Sequence, residues 1–264
     1  MPSVSNISVG ALVAGSAAAK ARHGMNESIA RLSTGMRSMY GGDAAGQSVA
    51  NTLEARSKSW AVAARNAEDG ISASQVVESA LLEIAALAQR LRELGIQADN
   101  AALHQSASDT AALNAEATAL FDAIDAIRDG ATFNGVSLLD ADGVTLAIGV
   151  TDGGATVSLT TGKTHTAVAS YTAAAGADTT ADTTLQEVAI SLGNVAAGIA
   201  ALKGRQAVAY AASANLAAAA ARVEDTDFAK ETANLTKNSV LNQSAMAMVA
   251  QANQAQSSIL AVLQ

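Results

Sequence analysis

Cysteine is absent from this chain, which excludes disulfides and thiolate metal centres and leaves the redox compartment unspecified. Proline occurs once, at Pro2, so nothing later obliges a helix to break. Aromatic residues make up only 3% although half of all residues are hydrophobic, and much of that half is alanine. Such a composition favours close helix–helix contact over a thick globular interior. Basic residues are outnumbered, 16 against 24 acidic ones, and the net charge of −8 argues against a nucleic-acid backbone or an anionic membrane as partner. At 264 residues the chain is long enough for a core in one or two domains.

What is present is organised around the last stretch, Asn238 to Gln264, which holds no Asp, Glu, Lys or Arg. Leu241, Ala245, Met248, Ala252, Ala255, Ile259 and Val262 recur there at alternating steps of four and three. That is the narrow apolar stripe of a coiled-coil helix. Its other faces carry amides such as Asn242, Gln243, Gln251 and Gln254, which hydrogen-bond without ionising. An uncharged amphipathic helix of this kind needs a partner on the stripe and more protein on the amide-rich faces. The amides also interrupt it as a membrane span, so no membrane insertion is expected. At the other end, Val9 to Ala19 has a signal-peptide look, but no Lys or Arg precedes it and glycines interrupt it, so a cleaved signal peptide is not expected.

Taken in order, Ser5 to about Ser33 is predicted helical, with Met25, Ile29, Leu32 and Met36 on one face. Gly35, Gly41 and Gly42 loosen the chain into a hinge, and Asp43 is a plausible N-cap. A helix of about 80 Å follows from Ala44 to about Asp99, at 1.5 Å per residue. Its seam is Trp60, Ala64, Ala67, Ile71, Ser74, Val77, Leu81, Ile84, Leu87, Leu91 and Leu94, and Gly46, Gly70 and Gly95 are its expected weak points. A third helix spans about Ser106 to Arg128. Thr132 to Gly135 then reads as a turn, Val136 to Leu139 as extended chain, and Val144 to Leu159 as a β-hairpin turning at Asp152-Gly153-Gly154. Thr164 to Thr184 is weakly patterned and expected to be a surface loop. From Leu185 a second seam runs through Val188, Leu192, Val195, Ile199, Leu202, Gln206, Ala209, Ser213, Leu216 and Ala220 to Val223. Polar Gln206 and Ser213 could set its register. Glu224 to Asp227 marks a joint before the terminal helix.

The expected fold is therefore mainly α: a long antiparallel coiled-coil-like rod with a small β-hairpin region, and terminal helices pairing into an inner domain. The boundaries are 1–42 with 223–264 for the inner domain and 43–222 for the rod, with the hairpin at about 136–162 and a short loop at about 163–184.

Several motifs along this plan resemble bacterial flagellin. Arg31-Leu32-Ser33-Thr34-Gly35 with Gly42-Asp43-Ala44-Ala45-Gly46 is similar to the family's N-terminal signature. Ala64 to Ser72 and Gln89-Arg90-Leu91-Arg92-Glu93-Leu94 extend the likeness, as do Thr132-Phe133-Asn134-Gly135-Val136 and Leu138-Leu139. Ala221 to Ala229 and Val249 to Gln254 resemble the C-terminal signature. The departures are the Ala- and Gly-rich first turns from Ala11 to Ala21, the polar pair Gln47-Ser48, and Ser38-Met39-Tyr40. The segment from Thr161 to Thr184 is too short for the family's variable outer domains, which makes this a minimal type.

The resemblance implies a structural subunit that polymerises into the helical flagellar filament, extracellular and exported unfolded without a cleaved signal peptide. Its implied partners are copies of itself, an export chaperone on the C-terminal helix, and the filament cap and hook-associated proteins. Two surfaces carry the expectation. The terminal-helix residues named above (Met25 to Met36 and Leu241 to Val262) should form the inner subunit interface. Gln89 to Leu94 should form a rod interface and a possible contact for Toll-like receptor 5. The rival readings are a hook–filament junction protein and a surface-displayed flagellin-like adhesin.

Catalysis finds no pattern to rest on. His23, His104 and His165 lack metal-ligand spacing and a nucleophile partner, and read as surface residues. His-Glu-x-x-His is missing, Asp140 to Gly143 lacks the later ligands of a calcium loop, and Gly41 to Gly46 lacks the strand of a phosphate loop. The chain is expected to be no enzyme and to need no cofactor.

Overall fold

A computed structural model describes residues 3–37, 43–100, 103, 106–140, 142–161 and 173–262, with backbone only for 3–8, 256 and 259–262. Five helices and four short strands follow one another: α1 (Ser3–Thr34), α2 (Ala44–Ala98), α3 (Ala107–Gly130), β1 (Thr132–Phe133), β2 (Val136–Ser137), β3 (Thr145–Gly149), β4 (Thr156–Thr160), α4 (Ala177–Glu224) and α5 (Phe228–Val262). They form two compact units, residues 56–215 and residues 1–55 with 216–264.

In the unit of residues 56–215, α2 and α4 run antiparallel. Ser57 meets Ser213, with Ser57 Oγ donating to the Ser213 carbonyl at 2.9 Å, and far along the pair Arg92 Nε donates to Asp182 Oδ1 at 2.6 Å. Every residue of the α2 seam from Trp60 to Leu94, and of the α4 seam within this unit, is buried or half-buried. Val77, Leu81, Ile84, Val188 and Val195 form one core with Ile124 of α3 and with Leu138 and Leu139. Leu91 and Leu94 form a second core with Ala117 and Phe121 of α3. By length and composition α2 and α4 each contain a window apolar enough to cross a bilayer, of mean hydropathy 1.4, and one face of each packs into these cores.

The hairpin sits against this pair. β3 and β4 pair antiparallel from Thr145 opposite Thr160 to Gly149 opposite Thr156, and the turn closes through Gly154 N donating to the Thr151 carbonyl. Alternation puts Leu146, Ile148, Val157 and Leu159 inward, as the sequence pattern requires. At the tip, Arg56 Nε donates to Asp152 Oδ2 at 2.7 Å, tying the turn to α2.

Two expectations meet the structure differently. α2 runs unbroken from Ala44 to Ala98, as its seam predicts, with Gly70 and Gly95 close against residues distant in sequence and Gly46 against its own N-cap Asp43. A Cβ on Gly70 would collide with Ile148 and lie 3.1 Å from Leu202 Cδ1, and one on Gly198 of α4 would lie 2.5 Å from Leu159 Cδ1. The two glycines are notches, one per helix, that seat the two strands. The loop expected at about 163–184 is also shorter, since α4 begins at Ala177, before the first seam leucine. Ala174, Ala177 and Ala181 are buried against Leu91, Leu94 and Phe121, so small side chains do here what larger ones do further along. Residues 162–172, with Tyr171 and His165, lie outside the described residues.

Candidate assembly surfaces

The unit of residues 1–55 and 216–264 is built on α1 packed antiparallel to α5. α1 turns Ala11, Ala14, Ala18, Ala21, Met25, Ser28 and Leu32 inward at steps of three and four. The alanine-rich first turns that set this sequence apart are therefore its contact seam, and small side chains let the two helices approach closely. α5 turns inward Glu231, Leu235, Asn238, Asn242, Ala245, Val249 and Ala252, again at steps of four and three.

That seam is not the stripe expected from the sequence. Among the described residues the two share only Ala245 and Ala252. Leu241 is 48% exposed and Met248 63%, and Ala255 is exposed too. On α1, Met25 and Leu32 are half-buried while Ile29 and Met36 are largely exposed. The side chains of Ile259 and Val262 lie outside the described residues. The expected stripe thus faces mostly outward, beside the seam that holds the subunit's own two helices.

Next to it runs a groove of about 800 Å³ with Val9, Val13 and Ala17 on one wall and Leu241, Ala245 and Met248 on the other. Elsewhere on the same two helices Leu12 is 74% exposed, and Val240 and Met246 are about half exposed. Single exposed apolar residues are ordinary, but a contiguous set along one helix pair marks a surface for another chain.

Between α1 and α2, and between α4 and α5, sequence reasoning missed a feature. Residues 35–37 and 224–226 form an isolated antiparallel bridge, Met36 opposite Asp225. Arg37 N donates to the Glu224 carbonyl at 2.7 Å and Thr226 N to the Gly35 carbonyl at 2.8 Å. Gly35 takes φ 73°, the left-handed turn that ends α1 and frees its carbonyl for this bond. Arg31 lies 3.6 Å from the buried carboxylate of Glu231. Asp43 caps α2 by accepting from Gly46 N at 2.8 Å, and Asp227 caps α5 by accepting from Ala229 N at 3.0 Å. Two short segments with no strand pattern carry no sequence signal for such pairing; only the glycine at 35 hinted at a turn.

The second expected surface lies at the far end of α2. Leu91 and Leu94 are buried in the core, while Gln89, Arg90, Arg92 and Glu93 face outward. Arg90 donates to Glu116 Oε1 from Nη2 at 2.8 Å and from Nε at 3.1 Å, and from Nη1 to Glu93 at 2.9 Å. The hydrogen bond to Glu116, then that to Glu93, raises the Arg90 pKa above its ordinary value. Arg92 is held by Asp182. Both guanidiniums are about half exposed, so these pairs orient a charged face without hiding it.

Of the histidines, His23 is exposed with Nε2 3.3 Å from Glu27, and His104 and His165 lie outside the described residues. Gly143 N donates to the Asp140 carbonyl, closing a turn where a calcium loop was weighed.

The family model for the bacterial flagellin N-terminal helical region matches residues 6–143, and that for the C-terminal helical region matches residues 175–263. The chain is 36% identical to a flagellin of Halalkalibacterium halodurans, an alignment covering 88% of this chain and 89% of that one. It is 30% identical to a flagellin of Bacillus subtilis over 88% of this chain and 90% of the other. With flagellin FlaB2 of Treponema pallidum it shares 32% identity over 90% and 92%. With both helical regions matched and relatives aligned along nearly their whole length, the chain belongs to the bacterial flagellin family.

Proposed function

We propose that this chain polymerises into the helical filament of a bacterial flagellum, outside the cell, through the surface its own terminal helices leave uncovered. The observation that carries this is the outward stripe of α5, Leu241 and Met248, lying beside an apolar groove shared with α1. An assembly contact whose rotation does not close a ring generates an open helix, the symmetry a filament needs. Residues 1–42 and 223–264 form the filament core, and 43–222 the rod. The uncharged sequence from Asn238 onward fits burial between packed helices, where an ionised group would be costly. Each copy covers its neighbour's exposed apolar faces, which couples burial of those faces to growth.

The finer partners follow from the same surfaces. An export chaperone takes the apolar stripe of α5 before assembly, and cap and hook-associated proteins meet the filament at its ends. On the free subunit the face of Gln89, Arg90, Arg92 and Glu93 is open to a receptor such as Toll-like receptor 5. The ion pairs that hold Arg90 and Arg92 are exposed and worth about 0.2–1 kcal/mol each, so a partner can exchange them at little cost.

The test is seeded growth. Purified protein is heat-depolymerised, cooled and mixed with short filament fragments, and electron microscopy follows the seeds. Long filaments are the expected result; seeds that stay short while the helices remain folded overturn the assembly reading and favour a junction protein or adhesin.

A further inference from the structure

The contact seam of α1 carries little information about where α5 should stop along it. Ala14, Ala18 and Ala21 are alike, so the α1 side of the seam does not by itself distinguish one heptad position of α5 from the next. A single register must therefore be imposed from elsewhere, as polar positions impose it in coiled coils.

Gly24 and Asn238 supply it. A Cβ built on Gly24 would lie 2.7 Å from Nδ2 and 3.1 Å from Cγ of Asn238, so the amide occupies the space a side chain at residue 24 would need. Seven residues on from Gly24 is Arg31, and seven back from Asn238 is Glu231, and these two form the ion pair of the buried carboxylate. The backbone bridge between Met36 and Asp225 continues the same pairing to the ends of the helices. Notch, ion pair and bridge thus agree on one alignment.

We propose that Gly24 and Asn238 are the register-determining pair of the terminal helices, anchored at the joint by the 35–37 and 224–226 bridge, and that this register sets the face each subunit offers the next. The proposal rests on the filament-subunit reading. In this register Val13 of α1 and Met248 of α5 line one groove. A slip of one heptad would carry Leu241 and Met248 about 10 Å along α1, at 1.5 Å per residue, and break up that composite surface. Gly24 and Asn238 are positioning residues: they reach the neighbouring subunit only through the helices they align.

The full chain has no cysteine, so Ala17→Cys with Ala245→Cys, on opposite walls of the groove, reports register through cross-linking by a short bifunctional thiol reagent. The yield is measured in free subunits and in seeded filaments. Adding Gly24→Asn should lower the yield at least tenfold and slow seed elongation, with the helical signal of the rod unchanged. Adding Asn238→Gly as well, which exchanges knob and notch, should restore both. Retention of the cross-link and of growth in the Gly24→Asn chain overturns the proposal, as does failure of the exchange to restore the cross-link. If the cysteine parent cross-links but does not elongate seeds under reducing conditions, the filament reading fails and the register assignment stands.

Discussion

At the scale of single residues, what decides this fold is how little side chain stands at certain positions. Gly70 and Gly198 seat Ile148 and Leu159, and Gly70 reads as a weak point in the sequence because the hairpin that fills it is distant in the chain. Gly198→Leu should overpack this contact and cost about 1–3 kcal/mol. Denaturant unfolding would show the loss, and proteolysis should open near 145–160 first; an unchanged midpoint would mean the hairpin is not seated there. Leu81 is the opposite case, legible from the seam and fully buried, so Leu81→Ala should cost about 2–5 kcal/mol in the same measurement. Arg90 belongs to neither case. Its partners Glu116 and then Glu93 strengthen its hold on its proton, and an arginine is already fully charged at physiological pH. Receptor signalling by the free subunit should fall with Arg90→Ala and show no dependence on Arg90 titration. A reporter assay that leaves the Arg90→Ala signal at the parent level removes this face as the contact.

At the scale of elements, the sequence was legible wherever two helices of one unit meet through large apolar residues. The α2 and α4 seams are buried along their lengths because their spacing and their partners are both written in the sequence. The start of α4 was less legible, since Ala174, Ala177 and Ala181 carry no period that distinguishes a buried alanine from an exposed one. α5 was misread in part for a physical reason. The strongest apolar period in it belongs to the outward face, whereas the inward face uses Glu231, Asn238 and Asn242, which pattern reading assigns to water. A polar seam on one side and an apolar stripe on the other are the mark of a helix with two kinds of partner. The joint also explains how α5 begins: Asp227 accepts from the first free backbone N–H groups, so Asp227→Ala should cost about 1 kcal/mol. Hydrogen exchange should then rise in the first turn of α5 and not in α4; equal rates in both would mean the cap is dispensable.

At the scale of the whole molecule, the two faces of α5 allow subunit folding and filament growth to be separated. Leu241 and Met248 are exposed in the subunit, so Leu241→Glu with Met248→Glu should leave its own stability within about 0.5 kcal/mol of the parent. In the filament the same two carboxylates would be buried without partners, a cost of several kcal/mol per ion, large enough to stop elongation. The expected outcome is a soluble, helical chain that neither extends seeds nor poisons parent growth, because it cannot dock. Ala245→Glu makes the contrast, since Ala245 faces α1 within the subunit and a carboxylate there should loosen the terminal pair before any neighbour arrives. Circular dichroism and seeded electron microscopy on both variants distinguish the two effects. Filaments of normal length from the Leu241→Glu, Met248→Glu chain would show that the outward stripe is not what the neighbour covers, and the assembly surface would have to be sought on the rod.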